Sequence, residues 1–485
     1  MGTHRAHNLD ELLVAKGPDP ILKDPEDDMQ LNDLKHLVVV MFENRSFDHM
    51  LGSLDLDPHG PWATLEGVRH AGKASLHPLT GHGGPGHVYD QSFYSYSGNP
   101  ILTNDRRSRF FPDPPHERPD VASQLNNGKM DGFVSAYQAA YPGVQILLEG
   151  SPEGPPYIVP LPWPEDILGY YTPTDLPLLH ALASEGAVCD HWFCSVPTST
   201  FPNRFYSLCG TSGGFANTWS GTSFVQKQYR EIPITSVFEV LAQAGLDHPW
   251  DWAIYSAPLK GLLAEIFTDM LYGIVPPVPG FTATFFGGAA EKQRIRRHWH
   301  DLNDFETGFK SNVLPTLTWI EPRDVDLADD STAPNDDHPP TPIENGQRLL
   351  WRILQSLKAT EAWANTMLIV TYDEHGGFYD HVTPPLITAP CANDVALGFT
   401  HYGVRVPTVI VSPLIPAQTV ISAELEHTSI LRLIGQWLNI PTVLQMPRVG
   451  GAPDLAAVLG NLPSPAAPTT IAPPVAAARR YRFER

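Results

Sequence analysis

His36-Leu-Val-Val-Val-Met-Phe42 is an unbroken apolar run that meets Glu43 with no turn residue between. Leu314-Pro-Thr-Leu-Thr-Trp-Ile320 meets Glu321, Thr366-Met-Leu-Ile-Val-Thr-Tyr372 meets Asp373, and Val406-Pro-Thr-Val-Ile-Val411 meets Ser412 in the same manner. Apolar runs without alternation are buried on both faces, the habit of strands in parallel sheets. Between them, residues 343–360 and 429–438 carry apolar side chains at helical spacing. The alternation predicts an α/β fold with a mostly parallel central sheet and helices on both faces. Ligands of such sheets sit beyond the carboxyl ends of the strands, where Glu43 and Asp373 stand.

The chain has 485 residues, and its 32 Lys+Arg against 53 Asp+Glu give a net charge of −21. That field repels phosphate backbones and anionic membranes, which excludes a broad nucleic-acid-binding face and leaves at most transient membrane contact. With 42% hydrophobic and 18% charged residues, a sizeable core is expected and global disorder is not. The 49 prolines imply many loops. Residues 55–165 and 214–310, rich in Gly, Pro, His and aromatics, read as loop insertions forming a lid. They interrupt a catalytic domain at 34–445, preceded by an arm at 1–33 and followed by a Pro/Ala-rich tail at 446–485. No run is long enough for a membrane helix, and the N-terminus lacks the apolar core of a signal peptide. The chain therefore reads as cytoplasmic or exported without a cleavable leader. Four Cys do not make a disulfide framework, and a Cys189 to Cys194 pair is the minority reading. Nothing identifies a protein partner.

Glu43-Asn44 at one strand end and Asp373-Glu374 at another offer acid and amide oxygens, which suit a hard divalent cation. The competing readings are a surface pair of Glu43 with Arg45 and an ordinary capping acid at Asp373. In Thr198-Ser-Thr-Phe-Pro-Asn-Arg204, Pro202 suits the first turn of a helix, which puts Ser199 and Thr200 at its N-terminal end. Backbone N–H groups there favour an anion, a hydroxyl can attack phosphorus, and Arg204 can hold phosphate oxygens. A plain Ser/Thr cap is the alternative. His116, His338, His381 and His427 lie in loops, where an imidazole can donate to a phosphoryl oxygen or protonate a leaving alkoxide, or serve only structure.

Several segments together resemble the phosphoesterase family of bacterial and plant non-specific phospholipases C and related acid phosphatases. They are Glu43-Asn-Arg-Ser-Phe-Asp-His49, Asp113-Pro-Pro-His116, Gly128-Lys-Met-Asp-Gly-Phe133, Gly169-Tyr-Tyr-Thr-Pro-Thr-Asp-Leu-Pro177, Thr200-Phe-Pro-Asn-Arg204, His338-Pro-Pro340, Thr371-Tyr-Asp-Glu-His-Gly-Gly-Phe378, Asp380-His381 and His427-Thr-Ser429. They run in the family's order across residues 34–440.

The resemblance implies an alkaline-phosphatase-like three-layer sandwich and a hydroxyl nucleophile that forms a phospho-enzyme. Thr200 would be the nucleophile, and Glu43, Asn44, Asp373 and Glu374 the shell of one divalent metal ion, completed by the Thr200 oxygen. Ca, Mg or Mn suits such a shell, with Fe and Zn still open. His116 and His338 would bind the phosphoryl group or assist the leaving group, with His381 close by. Arg204, Ser199 and His427 would contact substrate. The family's loop usually reads Gly-Pro-Thr where this chain has Thr198-Ser-Thr200, which makes Ser199 a rival nucleophile, and His375 stands where many members carry Trp. The implied activity is hydrolysis of phosphoric esters, as a phospholipase C acting on phosphatidylcholine-like lipids. An acid phosphatase acting on small phosphomonoesters is the alternative, and an inactive binding protein a remote one.

Overall fold

The computed structural model describes residues 31–71, 73–75, 88–90, 113–141, 146–148, 157–159, 167–173, 175–218, 235–256, 297–305, 314–323, 334–339, 343–463 and 465. Among them, eight strands form one sheet: β1 (His36–Phe42), β2 (Ala187–Cys189), β3 (Trp252–Ser256), β4 (Trp299–Asp301), β5 (Leu317–Ile320), β6 (Thr366–Tyr372), β7 (Val409–Val411) and β8 (Thr419–Ile421). Their order is β8-β2-β7-β6-β1-β5-β3-β4. All pairings are parallel except those of β7, which runs against both β6 and β2. The fold is the α/β class expected, with Val409–Val411 as the exception to the parallel rule.

Every residue of β6 is buried, as are residues 37–42 of β1, so both faces of the sheet centre are covered. Two groups of helices supply the cover. In one, α3 (Pro177–Glu185) packs against α6 (Ile343–Lys358), tied by the Leu179 N–H to Gln347 Oε1 at 3.0 Å. In the other, α7 (Thr428–Trp437) packs on α4 (Thr200–Cys209) and α8 (Leu455–Gly460), and the short helix Pro441–Leu444 joins it to α5 (Val237–Gln243). On α6, Ile343, Leu350, Ile353, Leu354 and Leu357 are buried, the stripe that its periodicity predicts.

Two expectations of organisation need correction. The stretch 214–310 is not lid alone, because it supplies β3, β4 and α5 to the sheet and its cover. Trp252-Ala-Ile-Tyr-Ser256 is only five residues long, and its flanking His-Pro and Asp residues hide a strand whose side chains are all buried. The tail assigned to 446–485 begins too early. Val449, Leu455 and Leu459 are fully buried, and Arg432 holds Asp454 at 2.8 Å. Such short helices have little apolar pattern of their own and are stabilised by docking. Within 55–165, α1 (Arg118–Leu125) and α2 (Phe133–Ala140) pack a satellite core with Tyr379 and Val404. Most of the remaining expected lid, most of the arm and the end of the tail lie outside the described residues. All four cysteines are free thiols.

Candidate active site

The register of the sheet places three acids side by side. Phe42 pairs with Tyr372 across β1 and β6, and Val40 with Ile320 across β1 and β5, so Glu43, Asp373 and Glu321 leave three adjacent strand ends. All three side chains are buried, as is Glu374. The chain can turn here because Asn44 takes the left-handed region at φ 57°, which Asn tolerates better than most residues. Gly376, at φ 61°, lies so close that a Cβ would sit 2.2 Å from the Asn44 carbonyl oxygen.

Buried carboxylates need compensation. Arg204, on the first turns of α4, supplies part of it: Nη2 lies 2.6 Å from Glu43 Oε1, Nε lies 3.2 Å from Asp373 Oδ2, and Nη1 meets Glu321 Oε2. Nη2 also donates to the carbonyls of Met41 and Phe42. Arg204 therefore braces the acids from behind, and does not stand where it was expected, on phosphate oxygens. The N–H of Asn44 donates to Asp373 Oδ1 at 3.1 Å, and that of Glu374 to the same oxygen at 2.7 Å. Burial still pushes Asp373 up to about 6, with Glu374 adding to the rise and Arg204 opposing it. Burial alone would raise Glu374 too, but His116 and His375 outweigh it and hold the group below its ordinary value.

On the face away from Arg204 the remaining oxygens converge. Thr200 Oγ1 donates to Glu43 Oε2 at 3.4 Å. The Asn44 amide stands between Glu43 Oε2 and Glu374 Oε1. With its nitrogen turned to them it donates to both, at 3.2 and 2.7 Å, and its oxygen accepts from His338 Nε2 at 2.9 Å and His116 Nε2 at 3.3 Å. The reverse orientation brings three oxygens face to face, which requires a cation between them. Glu43 Oε2, Glu374 Oε1, the Asn44 amide oxygen and Thr200 Oγ1 are oxygens of the kind a hard divalent ion takes, whereas both Asp373 oxygens are engaged, Oδ1 by two backbone N–H groups and Oδ2 by Arg204.

His116 and His338 face this cluster from two loops, their rings 6.3 Å apart. His116 Nδ1 meets the Pro114 carbonyl at 2.7 Å and His338 Nδ1 the Pro339 carbonyl at 2.5 Å, which leaves each Nε2 toward Asn44. Burial disfavours the His116 cation, but Glu374 and Asp113 outweigh it, and the group is pushed up to about 10. Asp113 lies close to both rings, and the three residues form a group with metal-ligand spacing, which the acids at the strand ends do not. Glu43 N–H donates to Asp336 O, and Arg45 Nε to Asp337 O, which pins the strand end to the loop carrying His338.

The two candidate nucleophiles separate. Only Thr200 turns its hydroxyl to the acids. Ser199 Oγ donates to Glu117 Oε2 at 2.9 Å and accepts from Thr218 N–H at 2.7 Å. The Phe201 N–H at the start of α4 is capped by Thr218 Oγ1 at 2.9 Å, so that donor is not open to an anion as expected. Asn203 holds the turn from inside: Oδ1 accepts from Val196 N–H and Nδ2 donates to the carbonyls of Val196, Thr198 and Ser199.

Two expected site histidines belong elsewhere. His381 Nδ1 lies 2.8 Å from Asp48 Oδ2 and Nε2 lies 3.1 Å from Glu66 Oε1, in a buried network where Arg405 also binds Asp48 and Asp380. Asp48, Asp380 and His381 have metal-ligand spacing, but the Arg405 guanidinium already supplies the positive charge there. His427 is buried beneath Asp373: Nε2 donates to the Asp373 carbonyl at 2.7 Å, and Nδ1 accepts from Trp192 Nε1 at 3.3 Å. It supports the acid from below, with both ring nitrogens engaged by the protein. Glu321 and Asn203 were missed as site residues, although Glu321 ends its strand with the same apolar-to-acid signature as Glu43 and Asp373.

The phosphoesterase family model matches residues 34–441. The chain belongs to the phosphoesterase family. It is accordingly a phosphoric ester hydrolase, and proteins of phospholipase C name are among its relatives. The phosphoesterase is 30% identical over 432 residues to non-specific phospholipase C1 of Arabidopsis thaliana, covering 84% of this chain and 67% of that one. It is 29% identical over 436 residues to phospholipase C A of Mycobacterium tuberculosis, covering 85% of this chain and 74% of that one. A solved protein in the alkaline phosphatase superfamily from Vibrio parahaemolyticus matches at TM-score 0.29 and 12% identity, over 54% of this chain and 60% of that one. The family match ends before Arg448, a buried residue at φ 60° that donates to the Ser195 carbonyl at 2.8 Å and stacks on Tyr206 of α4.

Proposed function

We propose that this phosphoesterase is a metal-dependent phospholipase C that cleaves phosphatidylcholine-like lipids to diacylglycerol and a phosphorylated head group, with a phospho-threonine intermediate on Thr200. The observation that carries this reading is the orientation of the two neighbouring hydroxyls. Thr200 Oγ1 faces Glu43 Oε2, whereas Ser199 Oγ is held between Glu117 and Thr218. The names of the relatives, phospholipases C from a plant and a bacterium, support the lipid substrate.

A divalent ion held by Glu43, Asn44, Asp373, Glu374 and the Thr200 oxygen would neutralise phosphoryl charge and lower the hydroxyl pKa. Thr200 attacks phosphorus as its proton passes toward Glu43 Oε2. His116 and His338 present Nε2 to the same space, where an N–H can bind a phosphoryl oxygen or protonate the leaving glycerol oxygen. Water attacking the phospho-threonine from the opposite side gives its proton to the imidazole that protonated the glycerol oxygen, and the departing Thr200 oxygen takes back its proton from Glu43, which releases the head group and restores the hydroxyl. Asp373 and Glu374 are held in place by Arg204, His427 and backbone N–H groups, so the oxygens are arranged before substrate arrives.

The test is release of diacylglycerol from phosphatidylcholine and of nitrophenol from p-nitrophenyl phosphocholine, with Ca, Mg or Mn supplied. Wild type should cleave both, Thr200→Ala neither. Cleavage of p-nitrophenyl phosphate alone would instead make the protein an acid phosphatase. Undiminished activity in Thr200→Ala would end the phospho-threonine mechanism.

A further inference from the structure

Three segments are knotted together behind the Thr200 hydroxyl. Ser199 Oγ donates to Glu117 Oε2 and accepts from Thr218 N–H. Thr198 Oγ1 donates to the Ala216 carbonyl at 2.7 Å and lies 3.2 Å from Asn217 Oδ1, which also accepts the Arg118 N–H at 2.8 Å. Residues 116–118, 198–200 and 216–218 are thus joined by side chains although they lie far apart in sequence. Ser199 is fully buried. The Glu117 backbone is tied to the start of α1, its N–H donating to Asp120 Oδ2 at 3.2 Å and its carbonyl accepting from the Asp120 N–H at 2.8 Å. It directly follows His116, and Ser199 directly precedes Thr200.

We propose that the Ser199 to Glu117 hydrogen bond is a positioning device that holds His116 across the acid cluster from Thr200, so that its imidazole meets the leaving-group oxygen. The proposal rests on His116 acting as the leaving-group acid in the reaction above. Neither Ser199 nor Glu117 touches the reacting atoms. Ser199 Oγ already has one donor and one acceptor partner, and Glu117 Oε2 is turned to it. Without this bond, a tie between the His116 loop and the nucleophile turn remains through Asn217 Oδ1, which meets the Arg118 N–H and Thr198 Oγ1. A small displacement of the imidazole then matters most when the leaving oxygen needs a proton. An alkoxide of diacylglycerol needs one, while nitrophenolate departs as the anion.

The test compares the two leaving groups on the full chain with Mg or Mn supplied. The substrates are dihexanoyl phosphatidylcholine and p-nitrophenyl phosphocholine. General acid catalysis is worth about 10²–10⁴-fold, so Ser199→Ala should slow kcat on the alkyl substrate by roughly 10–100-fold, and on the aryl substrate by less than about threefold. Glu117→Ala should show the same split, Glu117→Gln should retain most of the alkyl activity through its carbonyl acceptor, and the double alanine variant should lose no more than either single one. Should Ser199→Ala fail to fold, the Glu117 pair still reads the ratio. Equal losses on both substrates, no loss on either, or losses that track lower bound-metal content would each overturn the proposal while leaving the hydrolase reading intact. A wild type that cleaves neither substrate would remove that reading, and the proposal with it.

Discussion

His427 Nε2 donates to the backbone carbonyl of Asp373 at 2.7 Å, from directly beneath the acid cluster. Burial lowers His427 to about 4, so the ring is neutral across the physiological range, with its proton on Nε2 and Nδ1 accepting from Trp192. The ring thereby fixes the backbone from which two of the expected metal-binding acids project. Loss of such outer partners usually lowers metal affinity about 10–100-fold. His427→Ala is expected to weaken Mn binding within that range in a calorimetric titration. Trp192→Phe, which leaves the carbonyl bond in place, should weaken it less. Unchanged Mn affinity in folded His427→Ala would reject this role.

Arg204 compensates three buried carboxylates, and its removal leaves them without their cation. Breaking a buried pair by deleting one partner costs about 3–5 kcal/mol. Arg204→Met should therefore lower Tm strongly at pH 7.5 and less at pH 5. Loss of the guanidinium raises the carboxylate pKa values, and proton uptake at low pH then relieves the repulsion. Thermal melts followed by circular dichroism at both pH values check the sign. An equal drop at each would mean that the side chain contributes by packing and not by charge.

The His381 to Asp48 pair makes stability fall on the alkaline side. Burial disfavours the His381 cation, yet Asp48 more than reverses this and pushes the group up to about 9. Because its folded value is raised, its contribution is complete below the ordinary histidine value near 6.5 and is lost as pH rises through about 9. Asp48 behaves oppositely: burial would raise it, but His381 and Arg405 hold it below its ordinary range, so its share is lost only in acid. His381→Gln should flatten the decline of Tm between pH 6.5 and 9 and leave kcat nearly unchanged below pH 7. A Tm profile parallel to wild type through that window would exclude the pair as its source.

Sequence alone carried the sheet and its acidic rim. An apolar run that ends on an acid is a local pattern, and Glu43, Asp373 and Glu374 were legible because a parallel sheet aligns strand ends. The partners of these groups were not legible. Arg204 reaches Glu43 across 161 positions by number, and His427 reaches Asp373 across 54, and no spacing rule connects them. Short pieces such as Trp252–Ser256 and Leu455–Gly460 carry too little periodicity to declare themselves and are stable only against their neighbours. The sequence by itself thus determined the fold class and the acids that end the strands, because burial pattern and residue type are local properties. Only the tertiary structure decided that Thr200 and not Ser199 faces the acids, that Arg204 lies behind them, and that His381 belongs to a separate ion network. Those outcomes depend on which side chains compete for each hydroxyl, guanidinium and imidazole, and the competitors arrive from distant parts of the chain.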